Sequence, residues 1–320
     1  MGLAAVKPQF QTQRLTAHLT NAHVAASIQP ESSLMQQPWS DEQVLLHLRW
    51  ENAPLIGEGG EARIFDIGGD QVLRLLRPGG NADAQQMRAK LLQKISAGHT
   101  TAAFRTPRVI DICHVGGRIA VIEERLTGIT LAVALKTAQG QSRHRMICCY
   151  LDAAASIGDI EIHMPFWGDI VAPPGIRAPS YRTYLIEKLR SVRPVSGPLA
   201  ELVMAEPEVM PDCLTPSLVH FDIFPDNVLM EGSSVSAIID FGASSKMADR
   251  RLDVWSAVAY LDQEISPSAT DSDRNVALDW LESKGLDSDY PSAKRWIASS
   301  WCFAHDDPAV RSWCRRVLSA

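Results

Sequence analysis

The chain has 320 residues, of which 46% are hydrophobic and 21% charged, and its formal net charge is -6. That composition supplies a buried core for one large domain or about two. It contains no apolar run near the ~20 residues of a membrane-spanning helix. The acidic balance argues against a nucleic-acid partner and tolerates a cationic small molecule. The cysteines, Cys113, Cys148, Cys149, Cys213, Cys302 and Cys314, form neither a Cys-x-x-Cys pair nor a zinc-ligand spacing. With no signal-peptide pattern at the start, a reduced cytoplasmic setting is expected.

Residues 1–40 read as a loosely ordered leader, with either a helix around Leu15–Ile28 or an over-extended start upstream of Met35. Ser40 before Asp41-Glu42-Gln43 predicts a capped helix whose apolar face is Val44, Leu45 and Leu48. From Ala53 the period becomes two. Strands are expected at Pro54–Ile56, Ala62–Ile67 and Val72–Arg77, turning at Gly57-Glu58-Gly59-Gly60 and at Gly68-Gly69-Asp70. A helix over Ala82–Ala97 follows, then a hairpin of Arg108–Ile112 and Ile119–Glu123 around Gly116-Gly117. Residues 41–125 thus read as a small, compact β-rich α+β lobe.

Residues 126–320 read as a larger helical lobe. Helices are expected at Leu131–Ala138, Arg143–Ile162, Tyr181–Val192, Leu252–Glu264, Asp273–Lys284, Ala293–Ala304 and Pro308–Leu318. Pro173-Pro174 and Pro194–Pro198 mark loops. Short strands at Leu218–Val219, Val228–Met230 and Val235–Asp240 interrupt the helices.

Gly57, Glu58, Gly59, Gly60, Glu61 and Ala62 come close to a Gly-x-Gly-x-x-Gly pattern. A dinucleotide fold would need a helix directly after it, whereas a strand follows. Two readings remain: a hairpin folded over nucleotide phosphates, or an ordinary glycine turn.

The string His220-Phe221-Asp222-Ile223-Phe224-Pro225-Asp226-Asn227 is more informative. It has the His-x-Asp-x4-Asn spacing of a kinase catalytic loop, and Asp240-Phe241-Gly242 follows thirteen residues later. Phosphoryl transfer needs a carboxylate beside the acceptor hydroxyl and oxygen ligands for Mg²⁺ on the triphosphate. Asp222 suits the first role, Asn227 and Asp240 the second.

On these motifs the chain resembles the aminoglycoside phosphotransferase and choline kinase-like superfamily over roughly residues 41–320. The resemblance implies a bilobal, protein-kinase-like α+β fold and an ATP- and Mg²⁺-dependent transferase acting on a small-molecule hydroxyl. By motif it implies Asp222 as catalytic base, Asn227 and Asp240 as magnesium ligands, and Glu124 and Leu126 as hinge residues meeting adenine. Gly57, Gly59 and Gly60 would cover the phosphates, and Asp253 would brace the loop. An aminoglycoside or similar antibiotic is the favoured acceptor. A homoserine- or choline-like metabolite, or a nucleotide-binding module with little turnover, is the alternative.

Three positions depart from the family pattern. Phe221 stands where glycine is usual, which makes the loop bulkier without touching the chemistry. Arg74 stands where a strand lysine contacts the α/β-phosphates; it keeps the charge but changes its geometry. The helix Ala82–Ala97 contains no glutamate to partner that cation. Only Ala243 to Arg251 separate Asp-Phe-Gly from the next helix, too little for a protein-kinase activation segment.

The segments after residue 250 hold Asp262, Glu264, Asp271, Asp273, Asp306 and Asp307 among Trp296 and Trp301. Asp262, Glu264 and Trp301 are the candidates for acceptor contact. Solvated helix faces and core tryptophans remain the other reading.

Overall fold

A computed structural model describes residues 37–320, except 99–101, 173–174, 208–209 and 211. The expectations for residues 1–36 of the leader and for Pro173-Pro174 lie outside the described residues. The first element, α1 (Asp41–His47), starts at Ser40, whose side chain and that of Gln43 cap each other's backbone N–H groups. Five strands follow the sequence pattern: β1 (Leu55–Glu58), β2 (Ala62–Gly68) and β3 (Gln71–Leu76), then, after α2 (Ala82–Ala97), β4 (Val109–Val115) and β5 (Arg118–Glu124). They form one antiparallel sheet in the order β1-β2-β3-β5-β4.

Strand alternation sorts β3 between two faces. Leu73 and Leu75 pack with Val44 and Leu45 of α1 in one small core. Leu76 packs with Ile119 and Val121 against the start of α2 on the other side. Arg74 shares this second face with Leu76. At the β4–β5 turn, Gly116 has φ +55°, and a Cβ there would lie 2.0 Å from the Trp39 ring. Trp39 donates its N–H to the Gly116 carbonyl at 2.8 Å, so glycine lets the segment before α1 lie on the hairpin.

The chain then becomes helical: β6 (Ile129–Thr130), α3 (Leu131–Thr137), α4 (Gly140–Ile157), β7 (Trp167–Asp169), β8 (Arg177–Ala178) and α5 (Tyr181–Val192). After β9 (Ser217–Val219), β10 (Val228–Glu231), β11 (Ser234–Ile238) and β12 (Lys246–Ala248) come α6 (Arg251–Tyr260), α7 (Asp271–Ser283), α8 (Tyr290–Trp301) and α9 (Pro308–Ser319). Short sheets β11-β10-β6 and β8-β7-β12-β9 carry the loops of interest. Every residue of α6 from Leu252 to Tyr260 is buried, making it the axis of the helical lobe.

Some boundaries differ from the sequence pattern. Helix α4 ends at Ile157, not Ile162: a Cβ on Gly158 would sit 2.5 Å from Arg250 Cβ, and the chain turns there. Ile160 and Ile162 stay in the core, so the apolar pattern outlasts the helix. Helix α6 ends at Tyr260 for the same reason, Leu261 being fully buried past its end. Helix α7 starts at Asp271, because Thr270 and Asp273 form a reciprocal cap. Strands β6, β7, β8 and β12, two or three residues each, are additions. Among the described residues, no helix is long and apolar enough to cross a membrane.

Candidate functional site

The loop between β9 and β10 is held from below by Asp253 of α6. Its carboxylate accepts the backbone N–H of His220 at 2.9 Å and of Phe221 at 2.7 Å. Burial raises the Asp253 carboxyl to about 6, against the lowering pull of His220, these two N–H groups and Lys246. Phe221 has φ +62°, the left-handed region that favours glycine. Its ring packs on Trp296 and Trp301, which compensates part of that strain.

His220 Nδ1 accepts the N–H of Asp222 at 3.1 Å, so Nε2 carries the proton and donates to the Ile239 carbonyl at 2.8 Å. The imidazole thereby ties Asp222 to the strand end before Asp240. Tyr260 donates its hydroxyl to Asp222 Oδ1 at 2.9 Å. Burial, then the neighbouring Asp222 charge, raises this phenol far above its ordinary value, so it stays a donor. Asn227 Nδ2 donates to the Asp222 carbonyl at 2.9 Å, which leaves its oxygen as the free acceptor.

Asp240, also at φ +62°, meets Arg74 from the sheet, with Nη1 3.0 Å from Oδ1. Burial works to raise its carboxyl, but the charges of Arg74, Arg88 and His220 outweigh burial and hold it below the usual range. Arg74 also lies 3.5 Å from Glu61, and its Nε is buried without a partner. Thus Arg74 does face the cleft. Arg77 instead pairs with Glu58 at 2.6 Å.

The glutamate absent from α2 has a counterpart on β5. Buried Glu123 receives both terminal nitrogens of buried Arg88 from α2, the second at 3.3 Å, and its charge also acts on Arg74. The helix provides the cation and the strand the acid, the reverse of the expected pair.

The glycine turn closes with Gly59 N–H donating to the Ala62 carbonyl at 2.9 Å. Neither Gly59 nor Gly60 has a positive φ, and a Cβ on Gly60 would meet nothing within 4 Å. The fold itself does not demand glycine there; the missing side chains leave room over the cleft. Glu124 ends β5 with its N–H donated to the Arg108 carbonyl at 2.9 Å and its side chain paired with Arg105. Leu126 is half-buried just beyond it.

A cavity of roughly 640 Å³ joins Asp222 and Asp240 to Glu61, Tyr260 and Trp301. Of the acidic and aromatic candidates after residue 250, Trp301, Asp306 and Asp307 line it. Asp262 and Glu264 do not. Arg316 takes both, at 2.7 and 2.9 Å, and Trp313 Nε1 also donates to Asp262. Asp273 is buried against Arg143 at 2.6 Å, Asp271 pairs with Arg274, and Trp296 is a core residue.

Sequence reasoning did not single out Lys188, Lys246 or Asp169, which also line the cavity. Nor did it give Phe221 a part in the site, yet its ring lines the cavity and lies 3.8 Å from Lys246 Nζ. The substitution at 221 therefore reaches the site as well as the loop.

Magnesium takes six oxygen ligands and usually only one or two carboxylates. Asn227 and Asp240 offer one amide oxygen and one carboxylate, so they fit an ion whose other ligands are phosphates and water. Among the described residues, no group of three or more His, Cys, Asp or Glu side chains could hold a metal alone. The unpartnered Arg74 Nε suits an arriving phosphate.

The family model for APH, a phosphotransferase enzyme family, matches residues 52–294. Among solved structures, a thermostable mutant of aminoglycoside phosphotransferase APH(4)-Ia, in apo form, is 16% identical, covering 83% of this chain and 94% of that one at a TM-score of 0.59. The GDP and kanamycin complex of APH(2")-IIia is 15% identical, covering 83% and 90% at a TM-score of 0.53. At those identities the likeness shows the fold, bilobal and kinase-like. No curated protein matches the chain.

Proposed function

Because the chain belongs to the APH phosphotransferase enzyme family, we propose that it moves the γ-phosphoryl group of ATP to a hydroxyl of a small molecule, with Asp222 as the base. The observation that carries this reading is the placement of Asp222 and Asp240 on one cavity, tied through His220. The acceptor hydroxyl would lie against Asp222, oriented by the Tyr260 donor, and would lose its proton there as the new O–P bond forms and the bond from the γ-phosphorus to the bridging oxygen breaks, releasing ADP. Arg74 would hold the α/β-phosphates, with Gly57, Gly59 and Gly60 giving the turn room to approach them. Glu124 and Leu126 would border the adenine. Asn227 and Asp240 would hold Mg²⁺, whose charge would stabilise the phosphate oxygens.

Within this reading the favoured acceptor carries an amine, as an aminoglycoside does, because Asp306 and the Trp301 ring line the same cavity. A homoserine- or choline-like metabolite meets the same requirement. Replacing Asp222 by Asn should lower kcat by about 10²- to 10⁴-fold, while ATP with Mg²⁺ still raises the melting temperature. In Asp240→Ala that rise should disappear. ADP release over an acceptor panel reads the first effect, and near-wild-type turnover in Asp222→Asn would exclude the base assignment. The ion pair of Arg74 with Asp240 favours a second reading, a nucleotide-binding module with little turnover. ATP- and Mg²⁺-dependent stabilisation with no ADP release on any acceptor would select it.

A further inference from the structure

Lys246 sits at the start of β12, 2% exposed, and lines the cavity. A buried ammonium ordinarily requires a carboxylate partner and three hydrogen-bond acceptors. This one donates to the Ser244 carbonyl at 2.5 Å and lies over the Phe221 ring at 3.8 Å. Among the described residues no carboxylate oxygen comes within 4 Å of it; Asp169, Asp253 and Asp222 act on it only at longer range. Asp169 is engaged elsewhere, accepting the Ile176 N–H at 3.0 Å.

A second lysine compounds the demand. Lys188 of α5 lines the same cavity, has no ion pair among the described residues, and is close enough for its charge to act on Lys246. Its Nζ lies 5.5 Å from the Phe303 ring centre. Both lysines line one cavity beside an aromatic ring, and among the described residues neither has a carboxylate oxygen within 4 Å, although Asp169, the cross-strand neighbour of Lys246, and Asp222 line the same cavity. Both lysines come from β12 and α5, elements of the helical lobe, whereas Arg74 reaches the cleft from the sheet.

We propose that Lys188 and Lys246 form an anion subsite for the acceptor, so that the phosphorylated molecule bears a carboxylate or phosphate group besides its reacting hydroxyl. The proposal rests on the phosphoryl-transfer reading of the cavity and narrows its acceptor class. An aminoglycoside or choline, which carry amines but no anion, would leave both lysines unmatched, so this inference moves the preference from an aminoglycoside to a homoserine-like acceptor. An amphoteric one would satisfy Asp306 and the lysines together.

Binding of matched probes tests this without any turnover, so its failure is distinguishable from that of the base assignment. Gluconate and glucitol are open-chain polyols of the same carbon length and differ by a carboxylate in place of one hydroxymethyl group. In the full chain with a non-hydrolysable ATP analogue and Mg²⁺, gluconate should bind about 10-fold or more tighter than glucitol. In Lys246→Met and in Lys188→Met that preference should fall to about twofold or less. Lys188 is only half-buried, so its variant keeps the test open if Lys246→Met does not fold. Equal binding of the two probes by the wild-type chain, or no binding of either, would overturn the proposal. So would a preference that survives both substitutions. Loss of the ATP-induced shift in Lys246→Met, with the gluconate preference intact, would place the ammonium on the transferring phosphoryl group and overturn it too.

Discussion

Arg74 places a cation where a lysine is usual, and its surroundings show how. Burial opposes its charge, but Asp240, Glu123 and Glu61 outweigh that and raise its pKa further. On the proposed function, Arg74→Ala should weaken ATP binding by about 10-fold or more while leaving acceptor binding near normal. Arg74→Lys should recover part of the loss, because charge returns without the planar fork. Arg77, paired with Glu58 at the rim, serves as the control. Titrating ATP into the three variants checks this; equal affinities for Arg74→Ala and Arg77→Ala would remove Arg74 from the phosphate site.

The residues legible from sequence were those whose spacing carries chemistry. Asp222, Asn227 and Asp240 lie within nineteen residues of one another, and the structure puts Asp222 and Asp240 on one cavity with Asn227 hydrogen-bonded to the Asp222 carbonyl. Lys246 was not legible, since an isolated lysine in a nine-residue connection reads as solvated until the strand that buries it is seen. Asp262 and Glu264 show the converse. Their charge suggested a ligand, but the satisfying cation, Arg316, comes from a helix more than fifty residues away.

At the level of elements, long periodic segments were readable and short ones were not. Helix α2 and helix α5 match the sequence pattern at both ends, because Asn81 and Ser180 cap them and their apolar faces repeat at helical spacing. Strands of two or three residues carry too little pattern to separate from a loop. Helix ends were missed where tertiary contact decided them, as at Gly158 beneath Arg250. The β4–β5 hairpin provides a test of one such contact. Gly116→Ala adds a Cβ in a left-handed turn and drives it into Trp39, so it should cost about 2–4 kcal/mol of stability. Gly69→Ala, at a similar φ but with nothing within 4 Å, should cost only the conformational part, about 1 kcal/mol. Chemical denaturation of both variants measures the difference, and equal losses would show that Trp39 does not bear on the turn.

For the molecule as a whole, the buried charges predict a pH profile. Burial, and next the charge of Lys188, pushes Lys246 down to about 7 from 10.5. Between those values the unfolded chain binds the additional proton, so stability contributed through Lys246 should rise as pH climbs from about 7 toward 10.5. Asp253 runs the other way. With its folded pKa raised to about 6 from 3.8, the folded chain holds the additional proton between them, and stability falls as pH rises across that window. Melting temperatures of the wild type and Lys246→Met over pH 6–10 should diverge in slope, the variant lacking the alkaline gain. Parallel curves would mean that Lys246 does not titrate near 7.

The contact of Arg74 with Asp240 has a further consequence for the order of events in the cleft. It ties the sheet to the helical lobe through two groups that the proposed reaction needs for other partners. On the proposed function, a divalent ion arriving alone would have to take the carboxylate from the guanidinium, leaving Arg74 with Glu61 as its remaining ion-pair partner. Metal delivered already bound to a triphosphate brings a replacement anion with it, and both charges exchange partners in one movement. On the proposed function, the resting ion pair would thus favour the metal–nucleotide complex over the bare cation.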